Sequence, residues 1–451
     1  MPLRKVAVPV VMPVVMAVVL VAVLAVAAFF VKRERDAKNA MERVALARGL
    51  ARHAAEVRDT DLTLAMRLGG AAFLIHPEPQ TRDGLVDTLV AYARTDFYRL
   101  DPSGVQAAAL SDDGTFALTT DDDGISVWNL TTWLDPDVDL TDKDDRLSVL
   151  KGHKELVFAL ALSADGRTAL TGDDGGTTLV WDLSDPAKPV RRATLATKEP
   201  FEAIRLTRDA RTAVTAGSDG VLTVWDLADP AHPVRRSATD THHRRIVTLG
   251  LTADGRTAVS GGTDKNVVIW DLSNPAEPAK VTALDLPYPF VEELAVSADG
   301  GTLVVGNPGR ADVWDLTDRA RPKHTATLPV DSTDVYDVAL TPDGRTALIG
   351  GDGGTAVLWD LTDRAEPVRE AGLRSYAQEI SATTLSADGR MALTASVDRG
   401  PALWDLRELD TMRADPADHV CGSSSWLTLT RAEWARFAGS APYESDLCLL
   451  R

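Results

Sequence analysis

The feature that most constrains this chain is that it repeats itself. The segment TTLVWDLSDPAKPV at 177–190 returns as LTVWDLADPAHPV, VVIWDLSNPAEPA, ADVWDLTDRARPK and AVLWDLTDRAEPV, with looser copies, ISVWNLTTWLDPD and PALWDLRELDTMR, before and after. Its tryptophans fall at Trp128, Trp181, Trp225, Trp270, Trp314, Trp359 and Trp404, in steps of 53, 44, 45, 44, 45 and 45 residues. A near-constant period of this size means one supersecondary unit per repeat, which buries its apolar faces only against its neighbours. A second marker keeps phase with the first: SDDG, SADG, TRDA, TADG, SADG, TPDG and SADG, starting at Ser111, Ser163, Thr207, Thr252, Ser297, Thr341 and Ser386. Within one unit, VFALALS, TALTG and TTLVWDL read as three short strands joined by tight turns, and RRATL supplies a fourth. Four strands taken seven times close a ring, which protects the sheet edges that would otherwise template aggregation. Counting back about 15 residues from the first SDDG, as the other units do to their outer strand, reaches Asp96–Leu100, expected to complete the sheet that carries Trp404.

At these residues the chain resembles the WD-repeat β-propeller family, over roughly residues 95–410. The resemblance implies a buried network in each blade: a His before the first strand, a Ser or Thr on the second, an Asp in the next turn and the Trp on the third. His242, Ser260, Asp264 and Trp270 match it, as do His153, Thr171, Asp174 and Trp181, with one extra Gly after the Asp. Five repeats lack the His. Trp225 keeps Thr215 and Asp219, whereas Trp314 has neither hydroxyl nor acid in place, so its blade is expected to be the least rigid. Such a network implies stability rather than catalysis. The layout also resembles membrane-anchored WD-repeat proteins of actinobacteria, some of which carry an ATPase or kinase domain before the anchor. Only five residues precede the apolar run here, so any signalling output is expected from a separate partner.

That run, Val6–Val31, is 26 residues without a charge, longer than the ~20 needed to span a bilayer and than the ~7 to 15 of a cleaved signal. The expectation is a single-pass anchor over 1–31, an α-helical stalk over 32–95, the all-β seven-bladed propeller over 96–410, and a tail with a short helix over 411–451. In the stalk, Leu64, Leu68, Ala71, Ala72 and Ile75 recur at helical spacing and are expected to pack on a neighbouring helix. In the tail, Thr430 and Glu433 have the spacing of a capping box. Topology is drawn both ways. Lys32, Arg33, Arg35, Lys38, Arg43 and Arg48 after the span favour a cytoplasmic C-terminal domain. The two cysteines, Cys421 and Cys448, lie close together in the tail and suggest a disulfide and an oxidising compartment, which tips the reading to the extracytoplasmic side.

Net charge is −18, which would repel a phosphate backbone and argues against a nucleic-acid partner. Much of the acid sits in repeated turns, where Asp has a structural use. There is no phosphate loop, GxSxG, HExxH or paired CxxC, so no catalytic residue and no cofactor is expected. The nearest approach to a metal site is DPDVDLTDKDDR, but its sixth position is Leu140 rather than Gly and its twelfth Arg146 rather than Glu, so a solvated loop is expected and no metal.

What remains is an interaction surface, and the repeat helps to find it. Six residues before each Ser or Thr of the second marker every repeat has an apolar residue, hence core. Seven before stand Gly104, Leu156, Pro200, Arg245, Phe290, Asp334 and Glu379, and five before stand Gln106, Phe158, Glu202, Val247, Glu292, Tyr336 and Ser381. Chemistry that varies from blade to blade in a regular ring is not dictated by blade packing. Arg245, Phe290 and Tyr336, with Tyr288, Arg244, Leu156 and Phe158, are therefore the expected contacts of a protein or peptide partner. The alternative is that the central channel binds or processes a small molecule or glycan, in which case acids and His should converge there.

Overall fold

The computed structural model describes the backbone of residues 11–450 except 93, 97–104, 122–123, 132–145, 197–200, 241, 243, 289, 331, 375–378, 397–399, 422–428 and 444–446. Side chains are described from residue 32 onward, apart from those residues and from 94–96, 121, 196, 201 and 449–450. The chain divides into two compact units: residues 1–88 with 415–451, and residues 89–414.

The larger unit is a seven-bladed β-propeller. Among the described residues its strands form seven four-stranded antiparallel sheets. The innermost strands of blades 1 to 7 are Ala108–Leu110, Val157–Leu162, Phe201–Leu206, Ile246–Leu251, Leu294–Val296, Val335–Leu340 and Ile380–Leu385. The last blade takes its outer strand from the other end of the unit. Arg94–Asp96 pairs with Ala402–Asp405 in the register Arg94↔Trp404, Thr95↔Leu403 and Asp96↔Ala402. The closing strand thus begins two residues before the expected segment, whose residues 97–100 lie outside the described ones.

Each marker has a physical task. In the SxDG turn the Ser or Thr hydroxyl donates to the Asp carboxylate, as from Ser163 to Asp165 (2.7 Å), and the carboxylate also accepts an N–H from beyond the turn, as from Arg167 (3.1 Å). The Gly then takes a φ near +70°, reserved for residues without a Cβ. Blade 3 breaks the rule with Ala210, at φ +59°. The Asp after the Trp caps its strand in the same way: Asp182 accepts from the N–H of Ser184 at 2.9 Å, and Asp226, Asp271, Asp315 and Asp360 repeat the bond. Hydrogen bonds from Ser184 and Arg192 hold the Asp182 carboxyl at about 2. This acid is turn chemistry, repeated because the turns are.

Between the blades lie aliphatic layers. Trp270 packs with Ala203, Val214 and Val224 of blade 3, and Trp359 with Val304, Ala311 and Val313 of blade 5. Trp128 packs with Leu393 and Leu403 of blade 7, so the ring is closed by core contact as well as by the shared sheet.

The smaller unit is helical. Helices α1 (Val11–Val57), α2 (Leu62–Ile75) and α3 (Pro79–Tyr92) follow in order, α3 running across the boundary of the two units. After α4 (Leu409–Ala414) of the propeller unit come α5 (Pro416–Cys421) and α6 (Arg431–Phe437). Asp61 caps α2 by accepting from the N–H of Leu64 at 2.9 Å. Leu68, Ala71, Ala72 and Ile75 of α2 are buried with Ala47, Leu50 and Ala54 of α1, and Leu429, Trp434 and Leu447 of the tail complete the same core. Gly70 lets α5 approach closely: a Cβ there would stand 2.7 Å from Val420 Cγ1. Thr430 and Glu433 form the capping box of α6 (3.2 and 2.7 Å). Cys421 and Cys448 are joined, with their Cα atoms 5.8 Å apart. Among the residues whose side chains are described no helix is long and apolar enough to cross a membrane. The uncharged run Val6–Val31 lies outside the residues whose side chains are described.

Candidate functional site

The innermost strands line a central channel with a volume of about 360 Å³. Its mouth is made by a device repeated in five blades. In blade 2, Val157 pairs with Asp173 and Ala159 with Gly172, so Phe158 is an extra residue in the ladder. Blades 3, 4, 6 and 7 have the same bulge at Glu202, Val247, Tyr336 and Ser381. A bulge breaks the alternation of side chains and re-aims the extra one. These are the residues five before the marker, and all five line the channel. The blade-to-blade variation there follows from the bulge, since an unpaired residue is free of the demands of both sheet faces.

The structure brings together some of the expected contact residues and separates others. Tyr336 is 38% exposed and Phe158 is half-buried, both at the mouth. Arg245 is exposed and pairs with Glu202, another mouth residue, at 2.6 Å. Leu156 is 71% exposed, and Arg244 is exposed beside Arg245. Phe290 is half-buried, and Tyr288 packs on the core of blades 4 and 5 with the Arg310 guanidinium 4.8 Å above its ring.

Deeper in the channel is a charged cluster that the comparison of repeat positions passed over. Four residues before the marker the ring reads Ala107, Ala159, Ala203, Thr248, Glu293, Asp337 and Ala382. Two carboxylates therefore stand on adjacent blades among small residues. Arg205, from blade 3, reaches past blade 4 and donates to Glu293 Oε1 at 3.0 Å, and Thr248 donates to the same oxygen. Asp337 Oδ2 accepts from the N–H of Thr383 and from its hydroxyl at 3.0 Å. Burial outweighs the pull of Arg205 and, with Asp337 nearby, raises the Glu293 carboxyl to about 7. Asp337 is raised as well, chiefly by burial. Beyond the cluster the strands end in a collar of Leu110, Leu162, Leu206, Leu340 and Leu385. The signal was in the sequence: charge at a ring position held by Ala in four blades.

The histidine networks stand apart from the channel. In blade 4 the Trp270 indole N–H donates to Ser260 Oγ (2.9 Å), Ser260 lies 2.8 Å from His242 Nε2, and His242 Nδ1 lies 2.9 Å from Asp264 Oδ1. With the Trp proton on Ser260, the Ser O–H is left to donate to Nε2, and Nδ1–H to the carboxylate. Burial alone would raise the Asp264 carboxyl, but His242 holds it low. In blade 2, Thr171 joins Trp181 and His153 (2.9 and 2.6 Å), but the acid is Asp173, at 2.8 Å, in place of the expected Asp174. Asp173 stands where blade 4 has Gly262, and a Cβ on Gly262 would be 2.9 Å from His242 Nδ1. A side chain from that position points at the ring, whereas Asp174 has already entered the turn. The indole N–H groups of Trp314 and Trp359 have no hydrogen-bond partner. At the hydroxyl position of blade 6 stands Ile349. Blade 5 carries a different polar group: buried Asp312 accepts from Asn307 (3.0 Å) and Thr327 (2.7 Å).

The segment DPDVDLTDKDDR, up to residue 145, lies outside the described residues. Among the described residues no group of three or more His, Cys, Asp or Glu is placed to hold a metal.

The fold and its markers define a class, the repeat-built seven-bladed propeller with a Trp-Asp signature. The pattern of the family described as "WD domain, G-beta repeat" matches at 144–182, 235–271 and 322–360, and with the seven blades these matches support a WD-repeat propeller family. The chain is also similar to the NAD(+) hydrolase ApTIR of Actinoplanes sp., being 40% identical over 154 residues. That match takes in 34% of this chain and 14% of the relative's length.

Proposed function

We propose that this protein is a non-catalytic docking platform, held at a bacterial membrane by the run Val6–Val31, on which a signalling or assembly partner is bound by the channel mouth of the propeller. The observation that carries this reading is the bulged residue at the mouth of five blades, which presents Phe158, Glu202, Val247, Tyr336 and Ser381 as a surface that blade packing does not dictate. The exposed Leu156 and Tyr336 add apolar and aromatic area of the kind that anchors interfaces. The bonded Cys421 and Cys448 support an extracytoplasmic position, because such bonds persist in oxidising compartments. Hydrolysis of NAD is a property of the relative, and the part in common is too small a share of that protein to bring its activity here.

The test is crosslinking and capture from membranes of the source cell with the full-length chain. Replacing Arg245, Phe290 and Tyr336 together by Ala should weaken capture by roughly 2 kcal/mol or more with melting nearly unchanged. Undiminished capture would move the site elsewhere.

A second reading, a channel that binds a small molecule or glycan, is favoured by one observation: Arg205, Glu293 and Asp337 converge on the channel, although no His is among its described lining residues. Saturable glycan binding that is lost in Glu293→Gln and kept in Tyr336→Ala would favour it over the first.

A further inference from the structure

The charge of the channel is lopsided. Among the described residues its wall carries Glu293 and Asp337 against one cation, Arg205, whose Nη2 is taken by Glu293. The mouth above them continues the imbalance. Tyr336 stands among Glu379, Asp334, Asp352 and Glu292, whose charges, after burial, raise its phenol. Glu292 is itself raised by burial and by Asp334. Across the mouth the exposed Arg245 is already held by Glu202. The blade 5 to blade 7 side of the mouth is thus an aromatic ring bordered by four carboxylates, above two more that are partly buried.

We propose that this side of the mouth receives the cationic side chain, arginine or lysine, of a partner polypeptide, laid over Tyr336 and directed toward Glu293 and Asp337. The inference rests on the docking reading above and names the chemistry of the partner. An anion would meet six carboxylates. A bare metal ion would find two carboxylates, one of them already engaged by Arg205, which is too few ligands for a protein cage. A guanidinium or ammonium group needs only what is present: carboxylate acceptors at depth and an aromatic face at the entrance, where cation–π attraction adds to charge. The exposed Tyr336 and Leu156 argue for a polypeptide over a free amine, since a small cation inside the channel would leave both uncovered.

Proton linkage supplies a second readout. The groups facing Glu293 are Arg205 from blade 3, Asp337 from blade 6 and the neighbouring Glu292, with Thr248 neutral. An arriving cation favours the ionised form of a carboxyl that otherwise titrates near 7, so binding should release a proton and tighten as pH rises from about 6 to about 8.

The test uses full-length protein and three short peptides, identical except for a central arginine, lysine or citrulline, followed by calorimetry. The expected result is saturable binding of the arginine or lysine peptide, at least tenfold weaker binding of the citrulline peptide, and tenfold loss in Glu293→Gln/Asp337→Asn. Tyr336→Phe should retain binding and Tyr336→Ala weaken it. Equal binding of the citrulline peptide, binding unchanged in the double variant, or no saturable binding at millimolar peptide would overturn the inference. Loss of cooperative melting in the double variant would shift the comparison to Tyr336→Ala, where unchanged arginine or lysine binding overturns it equally. The docking reading is judged separately by capture: a captured partner whose binding ignores Glu293 and Asp337 would leave that reading standing and sink this one.

Discussion

Ala210 and Glu293 show how much a single position carries in a repeat protein, because each can be judged against six internal counterparts. In the SxDG turn six repeats have Gly at a φ near +70°, and blade 3 has Ala210 at +59°. A Cβ in the left-handed region costs about 1–2 kcal/mol, of which the extra chain entropy of a Gly takes back part. Ala210→Gly is therefore expected to stabilise the protein by about 0.5–1 kcal/mol, read as a rise in the denaturant midpoint at constant slope. A lowered midpoint would mean that the Ala methyl makes contacts worth more than the strain. Glu293 is a second departure from its counterparts, a carboxyl raised by burial in a ring position where four other blades have Ala.

At the scale of elements, the sheets are held by backbone pairing, and one of them depends on a remote segment. Arg94–Asp96 supplies the fourth strand of blade 7. A chain beginning at residue 93 keeps that strand, whereas one beginning at residue 97 leaves the edge of Ala402–Asp405 open. The second should melt at lower temperature and more broadly than the first in calorimetry; coincident transitions would show that the strand contributes nothing to closure. The strands themselves were legible in the sequence because turn chemistry and alternation recur seven times, so each reading is checked by six others. The closing strand was legible only to within two residues, since its partner is fixed by tertiary pairing rather than by a local marker. The bulge at the mouth could be seen as variation without its cause. Spacing points to Asp174 and not to Asp173, because counting finds the acid in the turn and cannot see which carboxylate the backbone aims at His153. The Arg205, Glu293 and Asp337 cluster was missed because it joins blades 3, 5 and 6, and no spacing within one repeat encodes a contact between three.

For the whole molecule, segments from before and after the propeller in sequence share the helical unit, where Leu429, Trp434 and Leu447 form a core with α1 and α2. The bond between Cys421 and Cys448 closes a loop with a sequence separation of 27 inside that unit. Its reduction should cost about 3 kcal/mol, and the loss should fall on the helical unit. Hydrogen exchange followed by mass spectrometry should report lost protection in α6 and unchanged protection in the innermost strands of the propeller. Protection lost equally in the blades would mean that the two units unfold as one. The bulges have another consequence. A residue outside the ladder can be exchanged without shifting the register of any strand, so the mouth amounts to separate positions that mutation can alter one at a time on a frame that does not respond. A lineage carrying this propeller can change its partner in single steps, each neutral to folding, and its mouth residues should diverge faster than the Ser-x-Asp-Gly turns at the other end of the same strands.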